Sequence, residues 1–186
     1  MKFPIKNIHL IFALVIFGAQ IPLAYSAPQS AEVLGVYFTP PVGAAHGLVK
    51  YLDEAKKSIR VMAYGFTSTE ISQALLRAKQ RGLQVELIED DKSAHSNRDA
   101  IAPLVEMGIS VRNDAEHAIA HNKVILIDDD VVVTGSYNFT NSAEKRNAEN
   151  FIILKSAYVA KRYADNWAIH WAHAHPLTEV FRTKRQ

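Results

Sequence analysis

A chain of 186 residues, 48% hydrophobic and 22% charged, has the balance of one globular domain that can bury its own apolar core. It contains no cysteine, which excludes disulfides, a thiol nucleophile, cysteine-bound zinc and iron–sulfur clusters. The formal net charge of +2 is not that of a dedicated DNA-binding module, so any nucleic-acid contact has to come from local basic patches.

The N-terminus reads as an export signal. Lys2 and Lys6 precede an apolar run from Ile8 to Leu23, and Ala24-Tyr25-Ser26 places small residues where a cut before Ala27 needs them. A signal peptide over 1–26 and a domain over 27–186 are therefore expected, with the product periplasmic or secreted and without stable membrane association. The alternative is an uncleaved membrane anchor, since the run approaches the length that spans a bilayer. Removing 1–26 takes away two lysines and no acid, which leaves 19 basic and 19 acidic residues.

Along the rest of the chain, strand and helix patterns alternate. A strand is predicted over Glu32 to Thr39, then a Pro40-Pro41-Val42-Gly43 loop and a helix over 44–57. Ser58 to Tyr64 is a strand with Ile59, Val61 and Ala63 on one face. Thr67-x-x-Glu70 suggests a capping box for a helix through Ile71, Leu75 and Ala78, ended by Gly82. Leu83 to Glu89 is a strand, Asp90 to Arg98 a polar loop, and Asp99 to Met107 a short helix leading to a strand through Val111. His121 to Ile127 and Val131 to Thr134 form a hairpin about Asp128-Asp129-Asp130. A helical turn over Ser142 to Arg146, a strand over Asn150 to Leu154 and a helix over Ala157 to Ala174 complete the chain. The fold class that follows is a layered α/β/α sandwich around a mixed, largely parallel sheet.

One segment carries chemistry: His121-x-Lys123-x4-Asp128-x6-Gly135-Ser136-x-Asn138. In a strand, residues two apart share a face, so His121 and Lys123 can meet one phosphate together. An imidazole can attack phosphorus and form a phosphohistidine, which splits one hard displacement into two easier ones. Lys123 supplies positive charge to the equatorial oxygens, and Ser136 and Asn138 can donate hydrogen bonds to them. Gly135 permits close backbone approach. Asp128, followed by two more acids, reads as turn chemistry and is assigned a structural role.

This segment resembles the signature of the phospholipase D superfamily. Ala63-Tyr64-Gly65-Phe66-Thr67, Asn147-Ala148-Glu149-Asn150, Trp167 and Trp171 extend the resemblance over essentially the whole mature chain, toward the small exported bacterial endonucleases of that superfamily. The resemblance implies that Glu149 holds and orients the His121 imidazole. It also implies a second histidine, from a second copy of the motif, as general acid. This chain has one copy, so a homodimer sharing one active site is expected.

The expected function is nonspecific, metal-independent hydrolysis of nucleic acid, DNA or RNA. Two alternatives stay open: a membrane-anchored lipid phosphodiesterase, and a catalytically dead nucleic-acid-binding protein. No constellation of three or four carboxylates and histidines at ligand spacing stands out, so no metal and no cofactor are expected. His46, His95 and His117 read as surface residues, His117 with a place beside the cleft. His173 reads as a helix-end residue in favourable contact with the dipole. Trp167 and Trp171 read as core.

Overall fold

The computed structural model describes residues 29–177. The expected signal segment, 1–26, lies outside the described residues.

Among the described residues, eight strands form one sheet: β1 (Glu32–Thr39), β2 (Ser58–Ala63), β3 (Gln84–Asp90), β4 (Ser110–Asp114), β5 (Lys123–Ile127), β6 (Val131–Gly135), β7 (Glu149–Lys155) and β8 (His175–Pro176). Their spatial order is β1-β7-β6-β5-β2-β3-β4-β8. The helices are α1 (Ala44–Glu54), α2 (Thr69–Gln80), α3 (Ala94–Glu106), α4 (Asn141–Lys145) and α5 (Ala157–His173). The layered α/β/α sandwich is as expected. Its parallel part is confined to β2, β3 and β4, toward one side of the sheet. The ladders outside it are antiparallel: a tight turn folds β6 back on β5, a longer connection through α4 returns β7 alongside β6, and β5 runs against β2.

Alternation along the strands makes two cores. Ile59, Val61, Leu87, Ile125 and Val133 face Leu48, Leu52, Ile71, Leu75, Ile101 and Leu104 of α1, α2 and α3. Met62, Ile88, Val124, Leu126 and Val132 face Ala160 and Trp167 of α5. Trp167 is buried and stacks on half-buried Trp171 at 4.7 Å, so both rings belong to packing against the sheet.

Two boundaries differ from expectation for local reasons. Ser68, not Thr67, caps α2: its hydroxyl accepts from Ile71 N, while the Thr67 hydroxyl accepts from Asn141 N. The stretch after Asp90 is not a loop. The Asp90 carboxylate accepts from Ser93 N at 3.0 Å, caps a 3-10 turn (Asp91–Ser93), and α3 follows at once. The polar residues there are the cap and first turn of a helix.

Candidate active site

The motif residues other than Asp128 lie at one end of the sheet, where β2 and β6 finish and β5 and β7 begin. Lys123, the first residue of β5, pairs with Ala63, the last of β2. Its ladder continues outward, with Tyr64 N donating to Asn122 O at 3.0 Å. Lys123 is 8% exposed, and its ammonium donates to the His121 carbonyl at 2.8 Å. The ammonium also lies 5.2 Å from the centre of the Tyr64 ring. The His121 imidazole packs on the same ring, with centroids 4.7 Å apart. Tyr64 therefore brings the two side chains to one side of the strand. Burial lowers the Lys123 pKa and the Glu149 charge opposes that shift.

Ser136 and Glu149 meet across the β6–β7 ladder. The Ser136 hydroxyl donates to Glu149 Oε2 at 2.7 Å and accepts from Asn150 N at 3.1 Å. Asn147 Nδ2 donates to Glu149 Oε1 at 3.0 Å. The side chain of Tyr137, between Ser136 and Asn138, turns into the core and donates to Glu144 Oε2 at 2.8 Å. Burial, then the neighbouring carboxylates, raise its pKa, so it stays a neutral donor. Glu144 also accepts from Gly43 N and Ala45 N, which ties the start of α1 beneath the site loop. Asn138 is half-buried, and its Oδ1 is buried without a hydrogen-bond partner.

Both glycines of the site serve close approach within the chain. A Cβ on Gly135 would stand 2.2 Å from Asn150 O and 2.6 Å from the Phe151 Cα, so any side chain there would part β6 from β7. A Cβ on Gly65 would stand 2.9 Å from the Thr140 methyl. That contact lets residues 66–68 run beside the site loop, where Thr67 N and Ser68 N both donate to Phe139 O at 2.9 Å.

Asp128 is not in this site. It lies just past the far end of β5, with φ of 53°, and its carboxylate accepts from the backbone N–H groups of Lys56, Lys57 and Ser58 at 2.7 to 3.1 Å. The structure thus joins His121, Lys123, Ser136 and Glu149 in one region and leaves Asp128 as the clasp between the β5–β6 turn and the start of β2.

Sequence reasoning missed two groups. Glu89, at the end of β3, is buried, and Asn97 of α3 connects it to the site. Asn97 Nδ2 donates to Glu89 Oε2 at 3.1 Å and to the Tyr64 carbonyl at 3.3 Å, and Asn97 Oδ1 accepts from Phe66 N. Burial pushes the Glu89 carboxyl up to about 7; the Asn97 hydrogen bond opposes this, and the nearby Asp90 and Asp91 charges add to it.

The second missed group corrects the expectation that no carboxylate–histidine constellation forms. Asp114, His117, His170 and His173 converge, with one donor atom from each lying within 4.8 Å of all the others. His117 and His173 are therefore not the isolated surface and helix-end residues that were expected. The group does not show in the spacing because His170 lies 53 positions after His117; the available local signal was His170-x-x-His173, one turn apart on a helix. Burial opposes the Asp114 charge, but the three imidazoles and the Glu116 N–H outweigh it and hold the carboxyl well below the usual range.

This sheet, with a histidine and a buried lysine at one end beside a serine–carboxylate pair, defines a phospholipase D-like phosphodiesterase. The family model described as "Cardiolipin synthase, PLD-like domain" matches residues 48–171, and the chain belongs to the phospholipase D superfamily. It is 40% identical over 144 residues to a protein of Rickettsia typhi named phospholipase D, spanning 77% of this chain and 71% of that one. It is 28% identical over 139 residues to the mitochondrial cardiolipin hydrolase of Xenopus tropicalis, spanning 75% and 66%. Among solved structures, Nuc from Salmonella typhimurium, a phospholipase D family member, superposes with a TM-score of 0.75 at 33% identity, covering 79% of this chain and 98% of that one. NucT from Helicobacter pylori shares the fold, with a TM-score of 0.68 at 20% identity.

Proposed function

We propose that this phosphodiesterase is an exported endonuclease that hydrolyses nucleic acid nonspecifically, DNA foremost, through a phosphohistidine on His121 and without a catalytic metal. The observation that carries the chemistry is the placement of the His121 imidazole and the Lys123 ammonium on one Tyr64 ring. An imidazole nitrogen attacks phosphorus, the bond to the leaving oxygen breaks, and that oxygen takes a proton from a general acid on the opposite side. Water then gives its proton back to that group and attacks the phosphohistidine, which frees His121. Lys123, Ser136 and Asn138 serve the phosphoryl oxygens, and Glu149 orients the imidazole.

The general acid is His121 of a second copy. Two features support a homodimer. The chain has a single copy of the motif. Among the described residues, helix α5 packs on its face of the sheet mainly over β4 to β6, and apolar side chains of β1 stand open on that face. Val36 is 53% and Phe38 63% exposed, and their ladder partners are Ile152 and Asn150, next to Glu149. An uncovered apolar strip beside an incomplete site suits a second copy.

Nucleic acid is favoured over lipid by the cations flanking the site. Exposed Lys145 and Arg146 precede Glu149 on one side. On the other, exposed Lys92 donates to the Ala118 carbonyl, in the segment leading to His121. Charges on both sides of a reacting phosphate suit a polymer with further phosphates. The names of the Rickettsia and Xenopus relatives keep a lipid phosphodiesterase as the second reading.

The test is a substrate panel on residues 27–186: plasmid DNA, RNA, and phosphatidylcholine and cardiolipin vesicles, with and without chelator at a temperature where the protein stays folded. Nucleic acids should be cleaved in chelator, His121→Ala should lose nearly all turnover, and the vesicles should be untouched. Cleavage of vesicles alone would replace this reading by the lipid one. Activity that the folded protein shows only with magnesium would remove the metal-free mechanism.

A further inference from the structure

We infer that Asp114, His117, His170 and His173 form a binding site for one zinc ion, distinct from the His121 site, which clamps the segment leading to the nucleophile. The four come from three elements. Asp114 ends β4, His117 lies in the β4–β5 connection, and His170 and His173 occupy the last turn of α5. The Asp114 carboxylate is fully buried at the centre. His170 Nδ1 lies 2.7 Å from its Oδ2, His173 Nε2 lies 3.2 Å from the same oxygen, and His117 Nδ1 lies 3.2 Å from both oxygens. The three rings form a near-equilateral triangle, with centroids 4.9, 5.3 and 5.3 Å apart. His173 Nε2 is buried and makes no hydrogen bond despite pointing at this centre.

The dimensions suit a small tetrahedral ion. Four points all within 4.8 Å of one another lie within about 2.9 Å of a common centre. Zinc–ligand bonds are about 2.0 to 2.2 Å, so each donor atom has to move inward by less than about 1 Å. The edges of such a tetrahedron are roughly 3.3 Å, close to the distances that three of the nitrogens already keep from the carboxylate. The donor set selects the ion. Three imidazole nitrogens and one carboxylate oxygen suit zinc and its neighbours, whereas magnesium and calcium take oxygen cages. Four protein ligands close the coordination sphere, which is the pattern of a structural ion, not a catalytic one.

Strand order separates this site from the chemistry. β4 lies three strands from β5, roughly 14 Å at the usual strand spacing. The link between them is the chain itself. From His117 it runs to Ala120, whose N–H donates to Asp90 Oδ1 at 2.8 Å, and then to His121. Binding takes place with neutral imidazoles, so any proton on a ligating nitrogen is released to solvent as the metal–nitrogen bond forms. The ion would join β4, this connection and the end of α5 in one crosslink.

The experiment uses untagged protein, made with zinc in the medium and then dialysed against metal-free buffer. Elemental analysis should find one zinc per chain. After removal of zinc with a strong chelator, Co2+ should give the visible absorption bands of a tetrahedral site. The thermal midpoint should fall in chelator and recover with Zn2+ but not with Mg2+. His117→Ala alters a half-exposed residue and should fold; it should weaken zinc binding by at least about 100-fold, and the His117→Ala/His170→Ala pair should abolish it. Should the double variant fail to fold, the cobalt spectrum of the wild type decides. Sub-stoichiometric zinc, an octahedral cobalt spectrum, or zinc retained by the folded double variant would overturn the site.

Discussion

Ser136 donates its hydroxyl to Glu149 Oε2 at 2.7 Å, and so joins two site residues that lie 13 positions apart in sequence. The same hydroxyl accepts from Asn150 N, so Ser136 is held from both sides and fixes the carboxylate in turn. A residue read as a phosphate ligand is thus also the support of the acid assigned to orient His121. If one unit acts, single removals should not add. Ser136→Ala and Glu149→Ala should each lower kcat/KM by about 10- to 100-fold, and the double variant should be only slightly worse than the poorer single one. A coupling of about 1 to 2 kcal/mol is expected from the cycle. Full additivity in kcat/KM would mean that the two residues act separately.

Asp128 makes a different prediction, because its bonds are all with backbone. Asp128→Ala strands the N–H groups of Lys56, Lys57 and Ser58 and puts alanine at a positive φ, which should cost roughly 2 to 4 kcal/mol of stability. Asp128→Asn keeps an acceptor oxygen and tolerates that backbone, so it should cost less. Denaturant unfolding measures both, and turnover per folded molecule should not change. A normally stable Asp128→Ala protein without turnover would place Asp128 in the chemistry after all.

Glu89 predicts a pH dependence of stability. Its folded carboxyl titrates near 7 because it is buried, against an ordinary value of 4.5. Between these values the folded state keeps a proton that the unfolded state has lost. Stability is therefore fully present below about pH 4.5, falls as pH rises through the window, and carries its whole penalty above pH 7. Glu89→Gln keeps an acceptor for Asn97 and removes the charge. It should flatten the profile over that window and stabilise the protein at pH 8 by up to roughly 3 kcal/mol. Melting curves from pH 4 to 8 test this, and an unchanged pH profile in the variant would reject the buried, protonated Glu89.

What was legible in the sequence follows the range of each interaction. His121 and Lys123 were readable because two residues in or beside one strand share a face, and the strands and helices were readable from their periods. The helix of 94–98 was hidden by its polar first turn, since a cap and a loop use the same residue types. Of the antiparallel ladders, β5–β6 follows from its tight turn, whereas β1–β7 and β2–β5 pair strands far apart in the chain. The Asp114 cluster was least visible: helix α5 returns His170 and His173 to the end of β4 only once the whole sheet is built. In sequence Glu89 reads like any strand-end acid, because Asn97, which joins it to Tyr64, lies in the polar first turn of α3 that reads as loop.

The shared site yields the most direct prediction, and it rests on counting. An in-line displacement needs a nucleophile on one side of phosphorus and an acid on the other, and one motif supplies one histidine in this setting. If a two-fold axis passes through the cleft, a dimer holds one site. A heterodimer of wild type and His121→Ala then lacks either the attack or the protonation, and should be nearly inactive. With free subunit exchange, a ninefold excess of mutant should leave about one tenth of the activity of the same amount of wild type, because few wild-type chains still meet each other. Independent active sites would leave that activity unchanged, which would end the shared-site mechanism. Phe38→Lys carries the test to the interface. If the open face of β1 joins the copies, this exposed substitution should preserve folding, shift sedimentation to the monomer and lower turnover in step with dissociation. A Phe38→Lys monomer with full activity would refute the shared site independently, and a fully active dimer would move the interface away from β1.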